Sequence, residues 1–237
     1  MPVEFSVAAY RFGHTLVRDR YQPNSTVKSI ELFKEMSNGF EFVKPELTIE
    51  WVHLFETGRF CKSKAIDHLL ADELIQLPDN VVGADTKPRE RSLAFRNLVR
   101  GRSLGLPTGQ AVAQALAEAG YPIDYEVDLA LSSLTGWKGL TAIVKKELAN
   151  SLPLFFYLLR ESSVVNKGKR LGPTASAILL EVFGGILINC TPSFLFSDWS
   201  PSDSIVGCDN ELTLADVLKF VGVFDAPKKR TKKKTGK

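Results

Sequence analysis

Apolar residues recur at helical spacing along nearly the whole chain. Val3, Val7, Tyr10, His14, Val17 and Tyr21 alternate steps of four and three, which predicts one helix over residues 3–21 with a single apolar face. Gln22-Pro23 closes it, because proline disfavours helix in the residue before it. Pro45-Glu46 opens a second helical stretch carrying Leu47, Trp51, Leu54 and Phe55, and residues 65–77 continue with Ile66, Leu69, Leu70, Leu74 and Leu77. An irregular connection over 79–88 leads to a helix from about 89 to 104 with Leu93, Asn97, Arg100 and Leu104 on one stripe. Thr108 reads as the N-cap of a helix over 109–119, and Gly120 as its stop. Further helices are expected near 123–134, 139–150, 153–162, 173–188 and 213–222. Pro173 suits a first turn, and Thr213 with Asp216 resembles a capping box. There is no run of alternating strands and no internal repeat, so the expected fold class is all-α.

Composition changes this picture little. At 237 residues, 44% hydrophobic and 24% charged, the chain can bury a core as one large domain or most of one. No uncharged apolar run reaches the ~18 residues of a membrane span. The N-terminus lacks a secretory signal, and the compartment stays open. The three cysteines, Cys61, Cys190 and Cys208, are widely spaced and read as free or buried thiols. Asn24-Ser25-Thr26 and Asn189-Cys190-Thr191 fit the glycosylation sequon, a pattern short enough to arise by chance.

The net charge of +3 hides an asymmetry. Seven lysines or arginines and no acid fall in residues 228–237, so residues 1–227 carry −4. We therefore expect a helical domain over 1–225 and a basic disordered tail over 226–237. An acidic body argues against a phosphate-tracking surface, so nucleic acid is not expected as a partner.

One histidine and one asparagine carry the candidate chemistry. His14 lies in Arg11-Phe12-Gly13-His14-Thr15, and Asn97 in Leu93-Ala94-Phe95-Arg96-Asn97-Leu98-Val99-Arg100, followed by Gly105-Leu106-Pro107. Read without other context, a lone histidine on an apolar stripe is a satisfied core residue. The five arginines Arg89, Arg91, Arg96, Arg100 and Arg102 read as a solvated basic face, although Leu93, Phe95, Leu98 and Leu104 interleave them.

The two segments together resemble the proximal haem side of the animal-type haem peroxidases, the peroxidase–cyclooxygenase superfamily, and most of all its bacterial-type members. Leu152-Pro153-Leu154-Phe155-Phe156-Tyr157 through Glu161, Leu171-Gly172-Pro173 through Glu181-Val182, and Pro192-Ser193-Phe194-Leu195 with Trp199 extend the resemblance, in order, over roughly residues 3–222. It implies a haem peroxidase-like helical domain, proximal half only, and a haem-dependent peroxidase acting on hydrogen peroxide and an unspecified electron donor. It also implies haem b, with His14 as axial iron ligand and the Asn97 carbonyl accepting a hydrogen bond from the other ring nitrogen. Arg11 falls where the family binds a haem propionate, and Arg100 where it has an arginine near the haem edge.

The family's distal histidine, distal arginine and calcium site lie upstream of the matched region and cannot be located here. His53 and His68 sit where the family has no catalytic histidine and read as packing or surface residues. A separately encoded N-terminal half is therefore an implied partner. The alternative is a haem-binding or interaction module without peroxidase turnover. No HExxH, Walker loop, GxGxxG or GxSxG elbow competes. The apolar wall that would face haem is expected to include Val7, Tyr10 and Val17, with Phe95 or Leu98.

Overall fold

The structure, a computed structural model, describes residues 1–35, 42–55, 63–198, 200 and 212–223. Of these, 56% are helical and 3% extended. The chain opens with a π-helical turn over Glu4–Ala8 and a 3₁₀-helix over Ala9–Leu16. Strands β1 (Arg20–Tyr21) and β2 (Ile30–Glu31) follow, then the α-helices in order. These are α1 (Leu32–Glu35), α2 (Asp72–Ile75), α3 (Asp79–Val82), α4 (Leu93–Ser103), α5 (Gly109–Glu118), α6 (Ala142–Asn150), α7 (Leu154–Asn166), α8 (Pro173–Asn189) and α9 (Leu214–Phe220). The chain divides into two compact units, residues 1–19 with 63–196 and residues 20–62 with 197–237, where the sequence suggests a single domain over 1–225. The basic tail, Cys61, Trp199 and Cys208 lie outside the described residues.

The first unit is built on α7. Leu154, Phe155, Tyr157, Leu158 and Leu159 are buried, and so are the polar Arg160, Glu161 and Ser162, so this helix is enclosed on every side up to Ser162, while Val165 in its last turn is exposed. Helix α5 crosses it at Gly109. A Cβ there would overlap Tyr157, and the Gly109 N–H donates to the Leu152 carbonyl at 2.9 Å. Thr108 caps α5 by accepting from the Ala111 N–H at 3.2 Å, as its sequence predicts. Helix α8 starts in the core with Thr174, Ala175, Ala177 and Ile178 buried, then runs outward to expose Leu180, Phe183, Ile186 and Ile188.

In the first unit three predicted helices take other forms. Over residues 3–21 the π turn re-phases the chain, and the 3₁₀-helix ends at Leu16. The buried positions are Phe5, Val7, Ala8, Ala9 and Thr15, while Val3 and Tyr10 of the expected stripe are exposed. Residues 65–77 keep one α-turn, Asp72–Ile75, and the chain ahead of it is anchored by the Ile66 N–H donating to the Gly168 carbonyl at 2.9 Å. Residues 123–134 hold only a 3₁₀-turn over Leu131–Ser133. There the Arg160 guanidinium takes the carbonyls of Leu129 and Ala130, and Ala130 turns left-handed at φ 49°.

The second unit pairs β1 with β2 antiparallel, Arg20 opposite Glu31 and Tyr21 opposite Ile30, a short ladder that the sequence pattern does not announce. The helical stretch expected from Pro45 is two separate 3₁₀-turns, Pro45–Leu47 and Trp51–His53. Asn24 is buried, and its amide nitrogen donates to the carbonyls of Glu46 and Thr48, so the first sequon is occupied by loop bracing. Helix α9 carries the expected capping box between Thr213 and Asp216. Among the described residues no helix is long and apolar enough to cross a membrane.

Candidate functional site

The 3₁₀ geometry of Ala9–Leu16 decides which side chains can act together. With three residues per turn, positions three apart stand directly above one another. Ala9, Phe12 and Thr15 form the edge turned to the core, with Ala9 and Thr15 buried and Phe12 packed against the central cluster. Arg11 and His14 share a second edge, half-buried. An α-helix would offset them by about 60°. The tighter winding brings both within reach of one partner.

That partner is Asn97, which lies 83 residues after His14 and is 1% exposed. Ser92 starts its helix by accepting from the Phe95 N–H, and Asn97 lies just over one turn further on, the one buried residue of α4. Its Oδ1 accepts from Arg11 Nη1 at 2.7 Å, and its Nδ2 lies 3.1 Å from His14 Nδ1. Arg11 Nε also donates to the Ser6 carbonyl at 3.2 Å. Guanidinium has donors only, so the amide atom facing Arg11 has to be the carbonyl oxygen, and the NH₂ has to face the ring. His14 Nδ1 is therefore an acceptor, and the neutral ring carries its proton on Nε2.

Burial, and after it the charge of Arg11, lowers the His14 pKa below its ordinary value, so the ring is neutral at neutral pH. Burial and then the Arg100 charge lower that of Arg11 as well, although it remains a cation. His14 Nε2 makes no hydrogen bond to any described residue. Beside it, a Cβ on Gly13 would meet nothing within 4 Å, so the backbone next to the imidazole borders open space.

The structure thus brings together three of the four residues singled out in the sequence. Arg100 is exposed and acts on Arg11 through its charge. The pairing differs from expectation in polarity: the Asn97 carbonyl serves Arg11, and the amide NH₂ serves the ring. Of the expected wall, Tyr10 is 57% exposed and Leu98 36%, while Val7 is buried. Asn97 also borders a cavity of about 450 Å³, walled by Phe95, Leu98, Leu106, Pro153 and Phe155. A cleft beside α4 is lined by Arg89, Glu90, Arg96, Arg100 and Arg102.

The remaining histidines are engaged in packing. His68 stands edge-on to Phe156 with ring centroids 5.7 Å apart, its pKa lowered first by burial and then by Arg160. His53, in the other unit, is buried with Nε2 3.3 Å from Glu50. Among the described residues no group of three or more His, Cys, Asp or Glu side chains could hold a metal ion.

A second polar cluster escapes a sequence reading that looks for chemistry. Glu161 accepts from the Thr174 N–H at 3.0 Å and from its hydroxyl at 2.6 Å, while Ser162 accepts from the Gly172 N–H at 2.8 Å. Together they cap the buried start of α8. A Cβ on Gly172 would overlap the Glu161 carboxylate. The Glu-Ser pair and the Gly-Pro-Thr helix start were visible in the sequence, but nothing local says that they meet.

No family model, no curated protein and no solved structure matches the chain.

Proposed function

We propose that this chain is the proximal, haem-holding part of a haem-dependent peroxidase. The observation that carries the reading is the junction of His14 and Asn97, two residues 83 positions apart, each embedded in a segment that resembles the family's proximal motifs. The residues present fit haem b in kind: one neutral imidazole, an amide from another helix to orient it, and open space beside Gly13, with the ring proton having to sit on Nδ1 when Nε2 holds the iron. When bound, haem would supply the redox-active iron that reduces hydrogen peroxide at the expense of an electron donor.

His14 would hold the iron through Nε2, Asn97 would fix the plane of the imidazole, and Arg11 and Arg100 would neutralise the two carboxylates on the porphyrin edge. Exposed Tyr10 and Leu98 supply apolar surface on the same two elements. Proton transfer to and from peroxide belongs to a distal acid–base pair, which this reading assigns to no residue of 1–237.

A second reading, a haem-binding or interaction module without turnover, draws on the placement of the other two histidines as packed side chains, His68 edge-on to Phe156 and His53 buried beside Glu50. General acid–base help is typically worth ~10²–10⁴ in rate, so such a module would show only slow, haem-like peroxidation.

Titration of the full chain with haemin tests the first reading. Wild type is expected to give a Soret band of histidine-ligated haem, and His14→Ala to lose it. Identical spectra from both would remove His14 as the ligand. Peroxidase turnover of the wild-type holoprotein well above that of free haemin would overturn the second reading.

A further inference from the structure

We infer that Arg11 acts through Asn97 as a gate on His14, holding the imidazole in the tautomer whose Nε2 is protonated until Arg11 is drawn away. The inference rests on the proposed role of His14 as an iron ligand, but its core concerns only three side chains and two hydrogen bonds.

The polarity of those bonds is fixed from one end. Arg11 can only donate, so Asn97 presents Oδ1 to it at 2.7 Å and has only Nδ2 left for His14 Nδ1 at 3.1 Å. An Nδ1 that accepts leaves the proton on Nε2, and a protonated nitrogen has no lone pair for a metal. Ligation through Nε2 needs the proton on Nδ1 and an acceptor facing it. Asn97 supplies that acceptor by a half-turn of its amide, which would set Nδ2 against Arg11 Nη1, donor to donor. Asn97 is 1% exposed, so no solvent is at hand to relieve the conflict. Arg11 then has to leave.

Two features favour its release toward an anion. Its other anchor is a single carbonyl, that of Ser6 at 3.2 Å, and Arg100 is a like charge close enough to act on it. An incoming group that carries both a metal and carboxylates satisfies both ends at once, since the carboxylate takes Arg11 while the metal takes Nε2. A neutral-edged porphyrin lacks the first handle. Arg11 is thus a positioning residue that selects for anionic metal macrocycles.

The test needs no turnover. Long-range ¹H–¹⁵N correlation spectra of the full chain report the tautomer of each of its three histidines. In wild type His14 is expected to carry its proton on Nε2. Asn97→Asp places a carboxylate where both neighbours can donate to it, so its His14 is expected to carry the proton on Nδ1 with Arg11 still in place. Affinity is then compared for haemin and for haemin dimethyl ester, whose edge is uncharged. Arg11→Leu is expected to weaken haemin but to strengthen the ester about tenfold, and Asn97→Asp to strengthen the ester similarly, on the scale of one charge-assisted hydrogen bond.

A wild-type His14 protonated on Nδ1 overturns the inference, and so does an ester affinity that falls in Arg11→Leu. Should no porphyrin bind any variant while the two tautomers are as stated, the haem reading fails and the Arg11–Asn97 lock stands. Wild-type spectra need no variant to fold, so the lock is decided even if Asn97→Asp is unstable.

Discussion

Two buried polar residues join distant segments in the first unit, and they are built to opposite ends. Glu161 on α7 receives the N–H and hydroxyl of Thr174, while its neighbour Ser162 receives the N–H of Gly172. The start of α8 meets its acceptors there, and the Ser162 hydroxyl donates back to the Leu158 carbonyl of its own helix at 2.7 Å. Asn97 on α4 is just as buried, but it is spent on two side chains that are half-exposed, and one of them has a ring nitrogen that meets no hydrogen-bond partner among the described residues. The first cluster closes on itself and serves the fold. The second transmits, because changing the partner of Arg11 changes what His14 can offer. Burial alone does not separate a staple from a site; the unspent atom does.

Removing each hub should sharpen that contrast. Glu161→Ala strands the Thr174 N–H and hydroxyl at the start of α8 and opens a void beside Gly172, and should cost about 3 kcal/mol of unfolding free energy. Urea denaturation followed by circular dichroism measures it, and a loss below about 1 kcal/mol would mean that α8 does not need this cap. Asn97→Ala should cost less, about 1–2 kcal/mol, because Arg11 and His14 can turn to solvent. If Asn97→Ala proves the more costly of the two, the roles assigned to the clusters are reversed.

The two hubs should also respond to pH with opposite signs. Burial raises the Glu161 pKa above its ordinary 4.5, outweighing the Thr174 and Ala175 hydrogen bonds that lower it. In that window the folded state holds a proton that the unfolded state has released. The contribution is therefore present below pH 4.5 and is lost as pH rises through the folded pKa. Relative to wild type, Glu161→Gln should flatten this fall. His14 runs the other way. Its pKa is lowered from 6.5, so its contribution is present above pH 6.5 and is lost as pH falls through the folded pKa. Thermal melts of wild type and His14→Gln between pH 5 and 8 should converge toward the acid end, and a gap that widens there would contradict the assigned shift.

What the sequence made legible was local. The Thr108 cap, Pro173 in a first turn and the Thr213–Asp216 box are each settled by residues within one helical turn, and all three are present. Where a distant group decides the backbone, spacing misled. Residues 123–134 have helical apolar spacing, but their carbonyls are claimed by Arg160, about thirty positions on. At the candidate site, the order of the motifs put His14 and Asn97 together, and the apolar stripe put His14 on a helix. The stripe could not announce a π turn followed by 3₁₀ winding, and that winding aligns Arg11 with His14. Nor could spacing show which end of the Asn97 amide faces which neighbour, since that depends on a guanidinium arriving from another segment.

The smallest expected effect on the bare chain is also the most diagnostic. His14→Ala removes a half-exposed ring whose hydrogen bond is to a single amide, and Asn97 keeps Arg11 through its carbonyl. Stability of the haem-free protein should change by no more than about 0.5 kcal/mol, the range of substitutions outside the core. The exposed second half of α8, with Leu180, Phe183, Ile186 and Ile188, is untouched, so any tendency to associate should be the same in both proteins. Haemin should then divide them. A ligand that binds only the folded state adds ~2.7 kcal/mol at a hundredfold excess over its Kd, which raises the melting temperature of wild type by several degrees and leaves His14→Ala where it was. Melts of both proteins with and without haemin, with His68→Ala as the control, make the comparison. Equal stabilisation of all three would show that haemin binds apolar surface rather than the His14–Asn97 junction.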